Sequence, residues 1–253
     1  MPEMNRALVV RPSFEPATYL GSLALQHAVD HLAAKGFTLE DLRGDDAIRD
    51  KVLDALSRLD PIWCILLGHG NPSTYTGQRL NPIFWTCDCK ELGGRIVYAL
   101  SCFTAMELGP DAVENKGCRC YIGYDREFAW TQEKFVDPLE DKYGKAFFEP
   151  VLELICRLAD GATTGEAFKA SIDKWNEWIE YWSKSEDPVA PLVLQLLIHD
   201  RDCQRLLGDE EAKVYAPAPP IWWLTAMMVG CAPIGAVLGI IGGNELSKMG
   251  EGK

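Results

Sequence analysis

The chain alternates between short runs that are apolar throughout and longer stretches in which apolar positions recur every three or four residues. Ala7 to Ser13, "ALVVRPS", has the uniform character of a buried strand. Ala17 to Gly36 follows with Leu20, Leu23, Ala24, Ala28 and Leu32 at helical spacing and a glycine stop. "FTLEDLRG" is a weak strand or loop, and Asp46 to Asp60 is an amphipathic helix with Ile48, Val52, Leu53, Leu56 and Leu59 on one face. The buried strand "IWCILLG" comes next, then a polar loop to about Leu92. Another buried strand is predicted at Gly94 to Cys102, a short helix up to Gly117, and a strand at Cys118 to Asp125. From about Phe135 the pattern is helical, in three segments: "FFEPVLELICRLADG", a long helix opening at Thr163 or Thr164, and "DPVAPLVLQLLIHDRDCQRLLGD". Trp175, Trp178 and Trp182 form one stripe on the second, suited to packing on the sheet or a neighbouring helix, or to a partner.

Strands apolar on both faces, alternating with helices, predict an α/β fold with a mostly parallel sheet flanked by helices, followed by a helical C-terminal part. That domain spans 1–215. Residues 216–220, "APAPP", read as a stiff extended spacer. Residues 221–243 carry no charge over 23 positions, long enough for a membrane helix, with Trp222 and Trp223 at one end. Pro233 and the glycines are tolerated in lipid, and Gly235 and Gly239 make a G-x-x-x-G pair through which such helices can associate into a homo-oligomer. The alternative is a hydrophobic segment folded back on the domain. Residues 244–253 form a polar tail.

Composition narrows the partners. A net charge of −12, with no Lys/Arg cluster, argues against nucleic acid. "MPEMNRALVV" lacks the features of a secretory leader, so the expected arrangement is a cytoplasmic main domain anchored by its tail. The nine cysteines are then expected to be mostly free. "CDC" (Cys87, Cys89) and "CRC" (Cys118, Cys120) offer four thiols to zinc, but the spacing is not that of familiar structural sites, and Cys118 and Cys120 share one strand face as core residues would. Neither metal nor cofactor is expected.

The candidate chemistry lies at strand ends, where ligands collect in parallel sheets. "LLGHG" ends in His69 and "YALSC" in Cys102. A thiol becomes a strong nucleophile only as thiolate, and an imidazole on an adjacent strand end can take its proton and return it to the leaving group. Gly70 leaves its backbone N–H open as an oxyanion donor beside that of Cys102. Taken singly, a strand-end histidine and a buried cysteine are usually structural. His27, His31 and His199 lie in helical patterns instead.

The succession of an apolar strand ending in His-Gly, an apolar strand ending in Ser-Cys, a helix, a glycine and "YIGY" resembles the caspase-like cysteine peptidases: caspases, metacaspases, gingipains, clostripain, separase and the bacterial CHAT proteases. The similarity runs from Ala7 to about Asp125, and "GATTGEAFKASI" is similar to a helix start that follows the core in the gingipain and CHAT branches. The resemblance implies a caspase-haemoglobinase sheet, His69 as general acid/base, Cys102 as nucleophile, Gly70 N–H in the oxyanion hole, and a protein or peptide substrate. Specificity in this group follows pocket charge, and Asp125 is the candidate acidic residue for reading Arg or Lys, or else a loop carboxylate paired with Arg126 or Arg119. Phe103 and Thr104 depart from the small residue or glycine that many relatives place after the cysteine. A silent caspase-like interaction module, and a different cysteine hydrolase or acyltransferase on an α/β sheet, remain as alternatives.

Overall fold

The computed structural model describes residues 3–215, and the apolar stretch at 221–243 lies outside them. Within the described residues, no helix is long and apolar enough to cross a membrane. The strands are β1 (Glu3–Arg11), β2 (Thr38–Arg43), β3 (Pro61–Leu67), β4 (His69–Asn71), β5 (Thr74–Thr76), β6 (Pro82–Trp85), β7 (Ile96–Leu100), β8 (Cys120–Tyr124) and β9 (Gln204–Gly208). The helices are α1 (Pro16–Ala34), α2 (Arg49–Leu59), α3 (Leu108–Lys116), α4 (Gly144–Ala159), α5 (Thr164–Ser183) and α6 (Ala190–Cys203).

The main sheet has six strands in the order β2-β1-β3-β7-β8-β9. All its pairs are parallel except β8 with β9. Because side chains alternate across a strand, the sheet feeds two cores. Ala7, Val9, Ile65, Tyr98 and Ile122 face α1, α4, α5 and α6. Leu8, Val10, Cys64, Leu66 and Val97 face the opposite way, toward α2, α3 and the β5–β6 ribbon. This is the mainly parallel, helix-flanked architecture expected of uniformly apolar strands.

Two segments differ from the sequence reading. The polar stretch after β3 is not a loop throughout: β4, β5 and β6 form a small antiparallel sheet. Tyr75 in the polar β5 and Ile83 and Phe84 in the apolar β6 drive it by burying. The last predicted helix ends at Cys203, and Gln204–Gly208 turns back as a strand. It pairs antiparallel along all of β8, satisfying backbone groups that would otherwise sit on an open sheet edge.

The tryptophan stripe packs inward. Trp175 and Trp182 are buried. Trp175 Nε1 donates to Gln204 Oε1 (3.1 Å) and Trp178 Nε1 to Glu149 Oε2 (2.9 Å), so α5 lies against α4 and the start of β9.

Candidate active site

Register brings the histidine and the cysteine together. β3 and β7 are neighbours, with Leu67 opposite Leu100. His69 and Cys102 each stand two residues beyond that pair, so both leave the sheet at one level. The Gly68 N–H donates to the Leu100 carbonyl (3.3 Å), extending the ladder to the threshold of the site.

Steric demands on the backbone account for the glycines on either side of His69. A Cβ at Gly68 would overlap the Thr76 carbonyl oxygen. One at Gly70 would lie 2.6 Å from the Cys102 carbonyl oxygen and 2.6 Å from Thr104 Cγ2, closer than real Cβ atoms come. Gly70 therefore lets β4 seat directly on the turn that carries Cys102. In that turn Phe103 adopts φ 64°, the left-handed region where glycine is at ease. Its N–H donates to the Arg126 carbonyl (3.0 Å), and the Ala105 N–H to that of Tyr124 (3.0 Å), tying the turn to the end of β8.

His69 has a partner that the sequence did not suggest. Its Nε2 lies 3.2 Å from Glu15 Oε1. Glu15 is the N-cap of α1 and accepts from the Ala17 and Thr18 N–H groups at 2.9 and 2.7 Å. Burial opposes its ionisation, but the backbone donors of Thr18 and Ala17, the Thr18 hydroxyl and the nearby imidazole outweigh it and hold the carboxyl below its ordinary range. A carboxylate only accepts, so Nε2 must carry a proton and Nδ1 is left as the basic nitrogen of the neutral ring. "FEPAT" is a helix start with proline at the first position, and no local pattern links it to a histidine 54 residues away.

Cys102 is partly buried. Burial pushes its thiol up, partly offset by hydrogen bonding to the Phe128 backbone, so the resting group is protonated at neutral pH. No hydrogen bond joins it to His69 among the described residues. Instead the two face a common cavity of about 90 Å³, together with Ser101 and Thr18. Ser101 Oγ is buried there without a hydrogen-bond partner.

Asp125 stands apart from the pair. It is not among the residues lining the cavity. Its Oδ2 lies 2.7 Å from an Arg205 nitrogen and its N–H donates to the Cys203 carbonyl (3.0 Å). The carboxylate is thus held by β9 rather than by Arg126 or Arg119. The four C-x-C thiols are not gathered: Cys87 is exposed, Cys89 donates to Asp111 Oδ2 (3.5 Å), and Cys118 faces the Arg95 and Cys120 carbonyls. Burial pushes Cys89 and Cys120 up to about 12. Among the described residues no group of three or more His, Cys, Asp or Glu could hold a metal.

Comparison with solved structures agrees with this architecture. The chain superposes on the Arg specific cysteine proteinase gingipain R (RgpB) with a TM-score of 0.57, at 13% identity over 83% of this chain and 48% of that one. A complex of Porphyromonas gingivalis RgpB pro- and mature domains gives 0.57 at 12% identity, with the same coverage. The fold is shared with these gingipain structures, and the chain spans about half the length of the solved structures it matches. No family model and no curated protein matches the sequence.

Proposed function

We propose that the protein is a cysteine endopeptidase in which Cys102 attacks the substrate carbonyl and His69 moves the proton. The observation that carries this reading is the shared exit of His69 and Cys102 from adjacent parallel strands, onto one cavity and with Glu15 behind the histidine. In the resting state the thiol keeps its proton. With substrate bound, Nδ1 of His69 takes that proton as sulfur bonds to the carbonyl carbon, and the imidazolium returns it to the leaving amine. The developing oxyanion would be met by the backbone N–H groups of Gly70 and Cys102. Water then cleaves the thioester with His69 as base. Glu15 holds the ring and supports its positive charge.

The raised thiol and the absence of a His69–Cys102 hydrogen bond favour a second reading, a silent caspase-like module that binds proteins without cutting them. Active-site bonds in unliganded enzymes commonly tighten only with substrate, so the peptidase reading stands first. A thiol-directed peptide probe separates the two. Labelling of Cys102 that disappears in His69→Ala supports the peptidase; labelling indifferent to His69 supports the module. The apolar stretch 221–243 would hold such a peptidase at a membrane, a reading that rests on its sequence alone.

A further inference from the structure

The cavity beside the dyad has a composition that bears on substrate choice. Its most buried walls are Phe148, Ser101, Leu100, Thr18 and Leu67, with Gly21 of α1 alongside. Phe128 and Trp130, both partly exposed, come from the segment after β8, and Ala17 from the first turn of α1. The lining includes no carboxylate. Of the nearby acids, Glu15 is committed to its helix cap and His69, and Asp125 to Arg205; Glu127, whose charge acts on the Cys102 thiol, lies beside Phe128 but outside the lining. Asp200 is fully buried, takes the Ala129 N–H at 2.9 Å and braces the 128–130 segment from behind. Its other oxygen has no hydrogen-bond partner, and burial pushes its carboxyl well up from the ordinary carboxylate range.

Resting on the peptidase reading, we infer that this cavity receives the side chain preceding the cleaved bond, and that it takes an uncharged, apolar one of about leucine size. The residue whose carbonyl meets Cys102 must place its side chain beside that sulfur, and this is the cavity the dyad opens onto. Its volume of about 90 Å³ compares with about 150 Å³ for a protein cavity that holds benzene, so a branched aliphatic chain fits better than an indole. A guanidinium or ammonium would be desolvated against aromatic and aliphatic walls with no carboxylate in the lining to meet it, which is unfavourable. Ser101 Oγ adds a neutral hydroxyl and does not alter that balance. The Arg preference of the structural neighbour is therefore not expected here.

The test reads pocket occupancy separately from turnover. Cys102 in the full-length protein is alkylated with iodoacetamide at alkaline pH, where even a raised thiol ionises, in the presence of acetyl-leucinamide or acetyl-argininamide. Peptides differing only in Leu, Met, Arg, Lys or Asp before the scissile bond are assayed in parallel. The leucine compound is expected to slow alkylation at a concentration at least tenfold below the arginine compound. Equal or better protection by acetyl-argininamide, or protection by neither, would overturn the inference. Protection by leucine with no peptide cleaved would support the inference and count against the peptidase reading alone. In Ala17→Asp, a carboxylate enters the wall at a helix position that favours acid, and acetyl-argininamide should begin to protect. Continued exclusion there would contradict the charge argument.

Discussion

At the scale of single residues, the site depends on atoms that must approach closely. The sequence paired His69 with Cys102 from their strand-end positions, and the Leu67–Leu100 register puts each two residues beyond the same pair. Glu15 was not legible, because its link to His69 spans 54 positions and its local pattern reads only as a helix cap. Its two roles can be separated by substitution. Glu15→Gln keeps one of the two oxygens that accept from the Ala17 and Thr18 N–H groups and removes the charge behind the imidazole. Stability should change by less than about 1 kcal/mol, on the scale of a capping residue. kcat should fall by roughly tenfold to a hundredfold with KM little altered, less than for a buried orienting carboxylate because this pair is partly solvated. A variant with wild-type kcat would show that His69 needs no orienting group. Asp125, the candidate pocket acid after "YIGY", has a partner the sequence did not suggest: the chain returns as β9 and brings Arg205 to it.

At the scale of elements, the buried parallel strands and their covering helices followed directly from uniform apolar runs and helical periodicity. The β4–β6 sheet did not, since its strands are only three or four residues long, too short for either the mostly polar β4 and β5 or the apolar β6 to show a pattern. Nor did β9, whose "QRLLG" continues the apolar pattern of α6 and becomes a strand because β8 offers an unpaired edge. The small sheet matters to function because it seats His69 and Gly70 on the Cys102 turn. Gly70→Ala must push the two apart, given the 2.6 Å approach to the Cys102 carbonyl oxygen. We expect peptide cleavage to drop by at least about a hundredfold, the scale of a misplaced catalytic group. The melting temperature should fall by a few degrees, as overpacking of about 1–3 kcal/mol implies. Unchanged cleavage would mean that β4 does not set the geometry of the dyad. Phe103 is the left-handed residue of the same turn, which explains why glycine would suit a position near it.

At the scale of the whole molecule, a helix-covered sheet sets the ends of β3 and β7 side by side, in a fold shared with gingipain structures at 12–13% identity. The sequence suggested further that residues 221–243 anchor the domain to a bilayer, on length and lack of charge. Full-length protein should then partition into the membrane fraction and need detergent for extraction, whereas a chain ending at Pro219 should not. Equal detergent-free solubility of the two would contradict an anchoring role.

The central claim is that His69 and Cys102 act together on a peptide carbonyl. Its most direct test is cleavage of a peptide library by the detergent-solubilised full chain beside Cys102→Ala and His69→Ala, each checked for an unchanged melting profile. Cleavage by the wild type that is lost in both variants is the predicted result. Cleavage that survives in either variant, or a folded wild type that cuts nothing, would contradict the account.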